Sequence, residues 1–112
     1  TNTTIDRPYN LISNNKKKIG GLSGKPLYDQ SNIILKKMYN LTNGQLILIG
    51  VGGISSGSDC YEKIKSGASL TQLYTSLTYL GPGLISKIKS ELIDLIKTDG
   101  YKNISQVIGK SV

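Results

Sequence analysis

Glycines at the end of an apolar run are the first residues whose types and spacing suggest chemistry. The segment LILIGVGGISSG, residues 46–57, passes from strand-forming aliphatic residues to Gly50, Gly52 and Gly53. Glycine adopts positive φ freely and lets the backbone approach a ligand closely. Backbone N–H groups in such a turn form an anion-binding concavity, and a following helix adds its positive N-terminal end. The segment predicts a phosphate site, with an ordinary turn as the alternative.

Hydroxyl groups at the end of the next apolar stretch fit the same ligand. The run LYTSL places Thr75 and Ser76 at the end of a predicted strand. In βα barrels, the loops after neighbouring strands commonly hold one phosphate together. Both hydroxyls are therefore predicted to donate to the anion that the glycine segment binds.

Two segments nearer the amino end add further ligand contacts. KIGGLSGKPL, residues 18–27, contains Gly20, Gly21 and Gly24, which allow backbone to lie against a planar ligand or its phosphate. The alternative is a flexible connector. In TNTT, residues 1–4, the Asn2 amide offers both a donor and an acceptor to a substrate with amide and carbonyl edges. The alternative there is a capped strand end.

Residue types that are missing exclude several kinds of site. The chain has no histidine and a single cysteine, Cys60. An internal disulfide, most zinc sites, and Ser-His-Asp or Cys-His catalysis by this chain alone are thereby excluded. No metal site and no catalytic residue is predicted in this segment. The glycine spacing matches neither the Rossmann fingerprint nor the P-loop.

The charge balance raises a separate question about partners. Fourteen Lys and Arg against seven Asp and Glu give a formal charge of +7, and one source is the run Lys16-Lys17-Lys18. Such a run is typical of an anionic partner or of a solvated loop. No aromatic residue interleaves the lysines, as a single-strand stacking platform would require, so no nucleic-acid partner is predicted.

The elements that must position these residues follow from apolar periodicity. Residues 1–4 are read as the tail of a strand and residues 5–24 as a long loop. Helical spacing predicts a helix over residues 31–41, with Ser31 as its cap. A doubly buried strand is predicted over residues 46–51 and a second strand over residues 70–75. The remaining predicted helices cover residues 58–66, 84–97 and 103–108.

Alternation of strands and helices defines the fold class as α/β with a parallel sheet. Three strands covered on both faces do not close a sheet, so the chain is expected to be part of a longer one. No apolar run approaches the roughly 20 residues of a membrane-spanning helix.

Taken together, these motifs resemble dihydroorotate dehydrogenase of the quinone-dependent, membrane-associated class, known as class 2. The similarity runs nearly end to end, through TNTT, GGLSGKPL, MYNLT, ILIGVGGISSG, EKIKSGASLTQLYTSL, GPGLISKIKSEL and DGY with ISQVIG. GLSGKPL is the segment that separates this class from the soluble one. Alternatives are another FMN- or phosphate-binding barrel, such as a soluble-class enzyme, or a non-enzymatic basic binding chain.

The resemblance implies a (β/α)8 barrel that holds FMN and oxidises dihydroorotate to orotate in pyrimidine biosynthesis, with a quinone as electron acceptor. The chain, residues 1–112, would supply the end of strand 6, then strands 7 and 8 with their helices. It implies a membrane-associated location, at the bacterial inner membrane or the mitochondrial inner membrane, through amino-terminal helices outside this segment. The serine base of the family is likewise expected upstream.

The resemblance also assigns roles to individual residues. Those on the substrate side are Asn2 and Thr3. Those implied to contact FMN are Thr1, Gly24, Gly52, Gly53, Tyr74 and Thr75. Those implied to line the quinone passage are Tyr74, Leu77, Thr78 and Pro82.

Overall fold

The structure is a computed structural model that describes residues 2–8 and 10–112. Its elements, in chain order, are α1 (Tyr28–Leu41), β1 (Ile49–Val51), α2 (Gly57–Lys65), β2 (Leu70–Gln72), α3 (Thr75–Leu80) and α4 (Gly83–Thr98). Short 3-10 turns cover Lys25–Leu27, before α1, and Ile104–Gln106, after α4. This alternation confirms the predicted α/β class.

The two strands pair in parallel, as predicted, with Ile49 opposite Leu70 and Val51 opposite Gln72. Both are shorter than the predicted strands, and the expectation that β1 is buried on both faces is wrong for this chain. Only Gly50 is buried in β1, whereas Ile49 and Val51 are 48% and 38% exposed. The physical reason is that α2 packs against only one face of β1, at Gly50, where a Cβ would lie 3.2 Å from the Lys63 side chain. Ile49 and Val51 point to the opposite face, where Val51 lines an open cavity.

The predicted strand over residues 1–4 does not form within the described residues. Thr4 alone pairs, in an isolated antiparallel bridge with Leu22. The loop between them is long, as predicted, and Arg7 organises it. The Arg7 guanidinium donates to the carbonyls of Thr4 and Gly20, among others, so one side chain satisfies backbone acceptors at both ends of the loop.

Helix α1 begins three residues earlier than predicted, at Tyr28, because the turn Lys25–Leu27 leads directly into it. Ser31 is therefore not the N-cap. It lies inside the first turn, is buried, and donates its hydroxyl proton to the Tyr28 carbonyl at 2.9 Å. Helix α3 was not predicted, since its first residue, Thr75, was assigned to the end of a strand.

Helices α2 and α4 enclose the hydrophobic core. Their apolar faces pack against each other, and one residue before α2 and one after α4 complete the core. The buried cluster is Ile54, Cys60, Tyr61, Ile64, Leu84, Ile88 and Val107. Burial raises the pKa of the Cys60 thiol, whose sulfur lies 3.2 Å from the Thr71 hydroxyl. The Tyr61 hydroxyl donates to Asp99 at 2.7 Å, which fastens α2 to the end of α4.

Candidate functional site

A cavity of about 500 Å³ opens between the amino-terminal segment, the start of α1 and the carboxyl ends of β1 and β2. It gathers seven of the residues that the sequence marked as substrate or cofactor contacts: Asn2, Thr3, Gly24, Gly52, Gly53, Tyr74 and Thr75. The remaining predicted contact, Thr1, lies outside the described residues. Four separate stretches of chain thus converge on one cavity.

Polar residues to which the sequence motifs assigned no contact also line this cavity. They include Thr4, Ser23, Gln30 and Ser31, and the apolar part of the wall comes from Leu27, Ile34, Val51, Ile54 and Leu73. No lining residue among those described carries a formal charge. The wall offers hydroxyls, amides and backbone groups, which suits a ligand with both planar apolar and polar parts.

The glycines at this site are required by close contacts within the chain. Gly52 and Gly53 have φ angles of 111° and 74°, which residues other than glycine rarely adopt. A Cβ on Gly53 would lie 2.8 Å from the Tyr28 Cα atom, and one on Gly52 would lie 2.9 Å from the Ser31 hydroxyl. The β1–α2 turn is therefore packed directly against the start of α1. The expected role of these glycines in admitting a ligand adds to this packing role.

Two hydroxyls face each other across the cavity wall. The Oγ atoms of Ser23 and Thr75 are 3.0 Å apart, which joins the loop before α1 to the start of α3. Ser76 also lines the cavity but is different, because its hydroxyl donates to the Ile54 carbonyl. The prediction that Ser76 donates to the same anion as Thr75 is therefore wrong in this structure, since its only proton is already used.

The N-terminus of α2 does not serve the cavity, contrary to the sequence prediction. Ser56 accepts from the Asp59 backbone N–H at 3.1 Å, and Asp59 accepts from the Ser55 N–H at 2.9 Å. Glu91 of α4 accepts from the Gly57 N–H at 2.5 Å. These side chains satisfy the donors that a free helix end would present to a ligand. The positive end of α2 is neutralised internally.

A cluster of charged residues lies behind the glycine turn. The Lys63 ammonium is fully buried and donates to Ser31 Oγ and to Asn32 Oδ1, each at 2.7 Å. Burial lowers the pKa of Lys63 to about 8, against the opposing effect of the Asp59 carboxylate. Burial alone would raise the pKa of Asp59, but hydrogen bonds from Lys25 and Ser55 outweigh it and leave that pKa below its ordinary value.

The sequence motifs did not single out Lys63, although a signal was present. Lys63 stands three residues after Cys60 and next to Ile64, both core residues of α2. Side chains three apart share a helix face, so the spacing placed a lysine on the buried side. Because lysine is almost never fully buried without a partner, composition alone favours a solvated position there.

Three residues of the predicted quinone passage do not line the cavity. Leu77 is partly buried and packs against the core cluster, Thr78 is exposed on α3, and Pro82 precedes α4. Tyr74 lines the cavity and is 83% exposed.

Across residues 2–8 and 10–112, His, Cys, Asp and Glu side chains nowhere gather into a group of three that could hold a metal ion. Over the same residues, no helix is both long and apolar enough to cross a membrane.

The fold is α/β, with a small parallel sheet and a cavity at the carboxyl ends of its two strands, and comparison with known proteins identifies the family. A family model described as dihydroorotate dehydrogenase matches residues 1–96. The chain belongs to the dihydroorotate dehydrogenase family.

Its relatives are of the quinone-dependent class, as the sequence motifs predicted. The mitochondrial dihydroorotate dehydrogenase (quinone) of Mus musculus is 50% identical over 109 residues, which cover 97% of this chain and 28% of the mouse protein. The dihydroorotate dehydrogenase (quinone) of Xanthobacter autotrophicus is 48% identical over 111 residues, which cover 99% of this chain and 31% of that protein. The chain thus spans less than a third of the length of these relatives.

A solved structure shows the same fold. The dihydroorotate dehydrogenase of Eimeria tenella, crystallised in complex with ferulenol, superposes with a TM-score of 0.95 at 44% sequence identity. The match covers 98% of this chain and 29% of the Eimeria chain. The arrangement of α1 to α4 around the two parallel strands is therefore also found in the matching part of the Eimeria protein.

Proposed function

We propose that this chain forms the carboxyl-terminal part, strands 7 and 8 with the end of strand 6, of the (β/α)8 barrel of a quinone-dependent dihydroorotate dehydrogenase. It contributes one wall of the cavity that holds FMN and dihydroorotate. The observation that carries the proposal is the convergence of Asn2, Gly24, Gly52 and Thr75, from four separate segments, on one cavity. A chain that merely shared the fold would not need these ligand-type residues at one place.

The residues of the cavity fit FMN. The uncharged wall, in which hydroxyls of Ser23 and Thr75 accompany the backbone of Gly24, Gly52 and Gly53, suits a phosphate that accepts hydrogen bonds. Aliphatic residues in the same wall, such as Ile54 and Leu73, suit a planar ring system. FMN, when bound, supplies the hydride chemistry that converts dihydroorotate to orotate and passes electrons to the quinone.

The chain's own residues bind and orient rather than transfer protons. The Oδ1 atom of Asn2 accepts the Thr3 N–H at 2.8 Å, which steadies the side chain and leaves its NH2 group to donate to a substrate carbonyl. Proton abstraction needs a positioned base near its working pH. No described lining residue is a histidine, lysine or carboxylate, and the resemblance places the serine base of the family upstream of this segment, so the base is assigned to the rest of the barrel.

The quinone is assigned to the side of the cavity formed by α3. Tyr74, Leu77, Thr78 and Pro82 follow one another from the cavity wall to the start of α4. Tyr74, Tyr79 and Leu80 are 83%, 82% and 58% exposed, so this face is rich in exposed aromatic and aliphatic groups. Such a face suits an apolar electron acceptor drawn from a membrane. The proposed location is the inner membrane of a bacterium, on its cytoplasmic side, or of a mitochondrion.

A single hydroxyl tests the cofactor assignment. Thr75→Val keeps the shape of the side chain but removes the hydroxyl, and it should weaken FMN binding by about tenfold in the complete barrel protein that contains this chain. Fluorescence quenching of free FMN measures the dissociation constant. Thr98→Val, on exposed Thr98 near the end of α4, is the matched control and should leave that constant unchanged. Equal constants for Thr75→Val and the wild type would sink the assignment.

A further inference from the structure

A buried amine lies directly behind the cavity wall, and nothing in the cavity itself explains it. Resting on the FMN site proposed above, we propose that Lys63 is the buried positive charge for an anionic ligand group at Gly52, and that it positions the glycine turn through Ser31. Lys63 does not line the cavity, so its action is through Ser31, which does.

The direction of the hydrogen bonds follows from chemistry alone. An ammonium group has three donors and no acceptor, so Ser31 Oγ must accept from the protonated Lys63. The single Ser31 proton is then directed at a carbonyl, and two are in reach: Tyr28 O at 2.9 Å and Gly52 O at 3.3 Å. Lys63 of α2 is therefore bonded to Ser31 of α1, whose proton lies between the Tyr28 carbonyl, at the shorter distance, and the Gly52 carbonyl of the turn.

The local charge balance points to an anion. Lys25 and Lys63 face a single nearby carboxylate, Asp59, which is bound to Lys25 Nζ at 3.0 Å and to Ser55. Glu62, the other acidic side chain of α2, pairs with Lys65 at 2.6 Å. The cluster behind the turn therefore carries a surplus positive charge. A phosphate group in the cavity would neutralise it across a wall that is itself uncharged.

A purely structural role accounts poorly for the ammonium. The Lys63 ammonium lies 5.3 Å from the centre of the Tyr28 ring, which offers a cation–π contact but no full negative charge. None of the ion pairs in the described part of the chain includes Lys63, so its charge is desolvated without a carboxylate in direct contact. A methionine of similar length would fill the same space without that cost. If a ligand supplies the missing negative charge, the attraction between that charge and the Lys63 ammonium is strong, because the protein interior screens it poorly. This attraction then offsets the desolvation of the ammonium.

The test compares two flavins that differ only in the phosphate. In the complete barrel protein, Lys63→Met should raise the dissociation constant for FMN by about tenfold or more and leave that for riboflavin unchanged. Ser31→Ala should shift the FMN constant in the same direction, and the double variant should be no worse than Lys63→Met alone. Lys37→Met, which removes an exposed charge on α1, is the matched control and should change neither constant.

Other outcomes are equally decisive. If Lys63→Met weakens the binding of FMN and of riboflavin equally, or changes neither, the proposal is overturned while the FMN site stands. A wild-type protein that binds no FMN would overturn both. If Lys63→Met fails to fold, NMR titration of lysine side-chain carbons in the wild type decides the matter. FMN must raise the pKa of Lys63 and riboflavin must not; an equal pKa with both flavins contradicts the proposal.

Discussion

Gly53 shows how one residue serves both packing and ligand access. Its φ is 74°, and a Cβ placed on it would lie 2.6 Å from the Tyr28 Cβ atom, which leaves no room for a side chain. A substitution there acts on stability before it acts on any ligand. Gly53→Val, the obvious test of flavin occupancy, would therefore confuse two effects, and a hydroxyl removal at Thr75 is the cleaner experiment.

The first prediction concerns the stability cost at this glycine. Gly53→Ala should lower the free energy of unfolding by about 2 kcal/mol or more, because it combines an unfavourable φ with a backbone clash. Gly83, at the start of α4, has nothing within 4 Å of the position a Cβ would take, so Gly83→Ala is the matched control and should be nearly neutral. Denaturant midpoints measure both. Equal midpoints for the two variants would contradict the packing argument.

The second prediction concerns pH and Lys63. Its folded-state pKa of about 8 lies below the ordinary value of 10.5. Between those values the unfolded state binds more protons than the folded state, so this group makes stability rise with pH. In flavin-free protein, the free energy of unfolding of the wild type should therefore increase relative to Lys63→Met from about pH 7 to about pH 10. The other titrating groups are common to both proteins. A difference in the free energy of unfolding that stays constant or falls over this pH range would therefore refute the prediction.

At the scale of elements, the start of α2 is held by a helix distant in sequence. Glu91 of α4 accepts the Gly57 N–H, and a Cβ on Gly57 would clash with the Glu91 Cβ atom. Helix α4 therefore touches the backbone of α2 at its first residue. This contact fixes the angle at which α2 leaves the glycine turn, and so the position of the cavity wall.

The third prediction removes that contact. Glu91→Ala should lower the free energy of unfolding by about 1–2 kcal/mol, because the Gly57 N–H loses a charged acceptor. Glu91→Gln, which keeps an acceptor without the charge, should fall between Glu91→Ala and the wild type. Asp94→Ala, at an exposed position three residues further along α4, is the control and should have little effect. Thermal melts measure all three, and equal losses for positions 91 and 94 would refute the capping role.

The elements predicted well were those whose own sequence contains the signal. The apolar stripe of α4 and the serine-rich start of α2 gave both helices to within a residue or two. Ser31 and Thr75 were misassigned because tertiary contacts decided their structure. The turn from Lys25 extends α1 backwards past Ser31, and Thr75 begins a helix where apolar continuity favoured a strand.

The candidate site was likewise predictable only where the signal lies in the local sequence. Glycines and hydroxyls that follow strands are visible in the sequence, and the parallel pairing of β1 and β2 brings them together. Ser23 and Lys63 were missed because their roles depend on partners 52 and 32 residues away, Thr75 and Ser31. Local spacing puts Lys63 on the buried face of α2, but it does not identify partners so far away in the sequence.

At the scale of the whole molecule, the sheet leaves apolar surface open. The residues around β1 and β2 are strongly aliphatic, yet Leu46, Ile47, Ile49 and Leu70 are 55%, 79%, 48% and 59% exposed. In a closed parallel barrel, strand residues of this kind are buried on both faces. The exposed residues therefore mark the surface that further strands and helices of the proposed barrel would cover.

The fourth prediction compares this chain alone with the complete barrel. Alone, it should bind the hydrophobic dye ANS and melt without cooperativity, because the open sheet leaves aliphatic side chains in water. Ile49→Thr should lower dye binding by the isolated chain, yet cost the complete barrel about 1–3 kcal/mol, since only there is position 49 buried. Ile93→Thr, at a 52% exposed position on α4, is the control and should cost little in the complete barrel. A cooperative, monomeric melt of the isolated chain without dye binding would show that these 112 residues need no further strands, and the barrel proposal would fall.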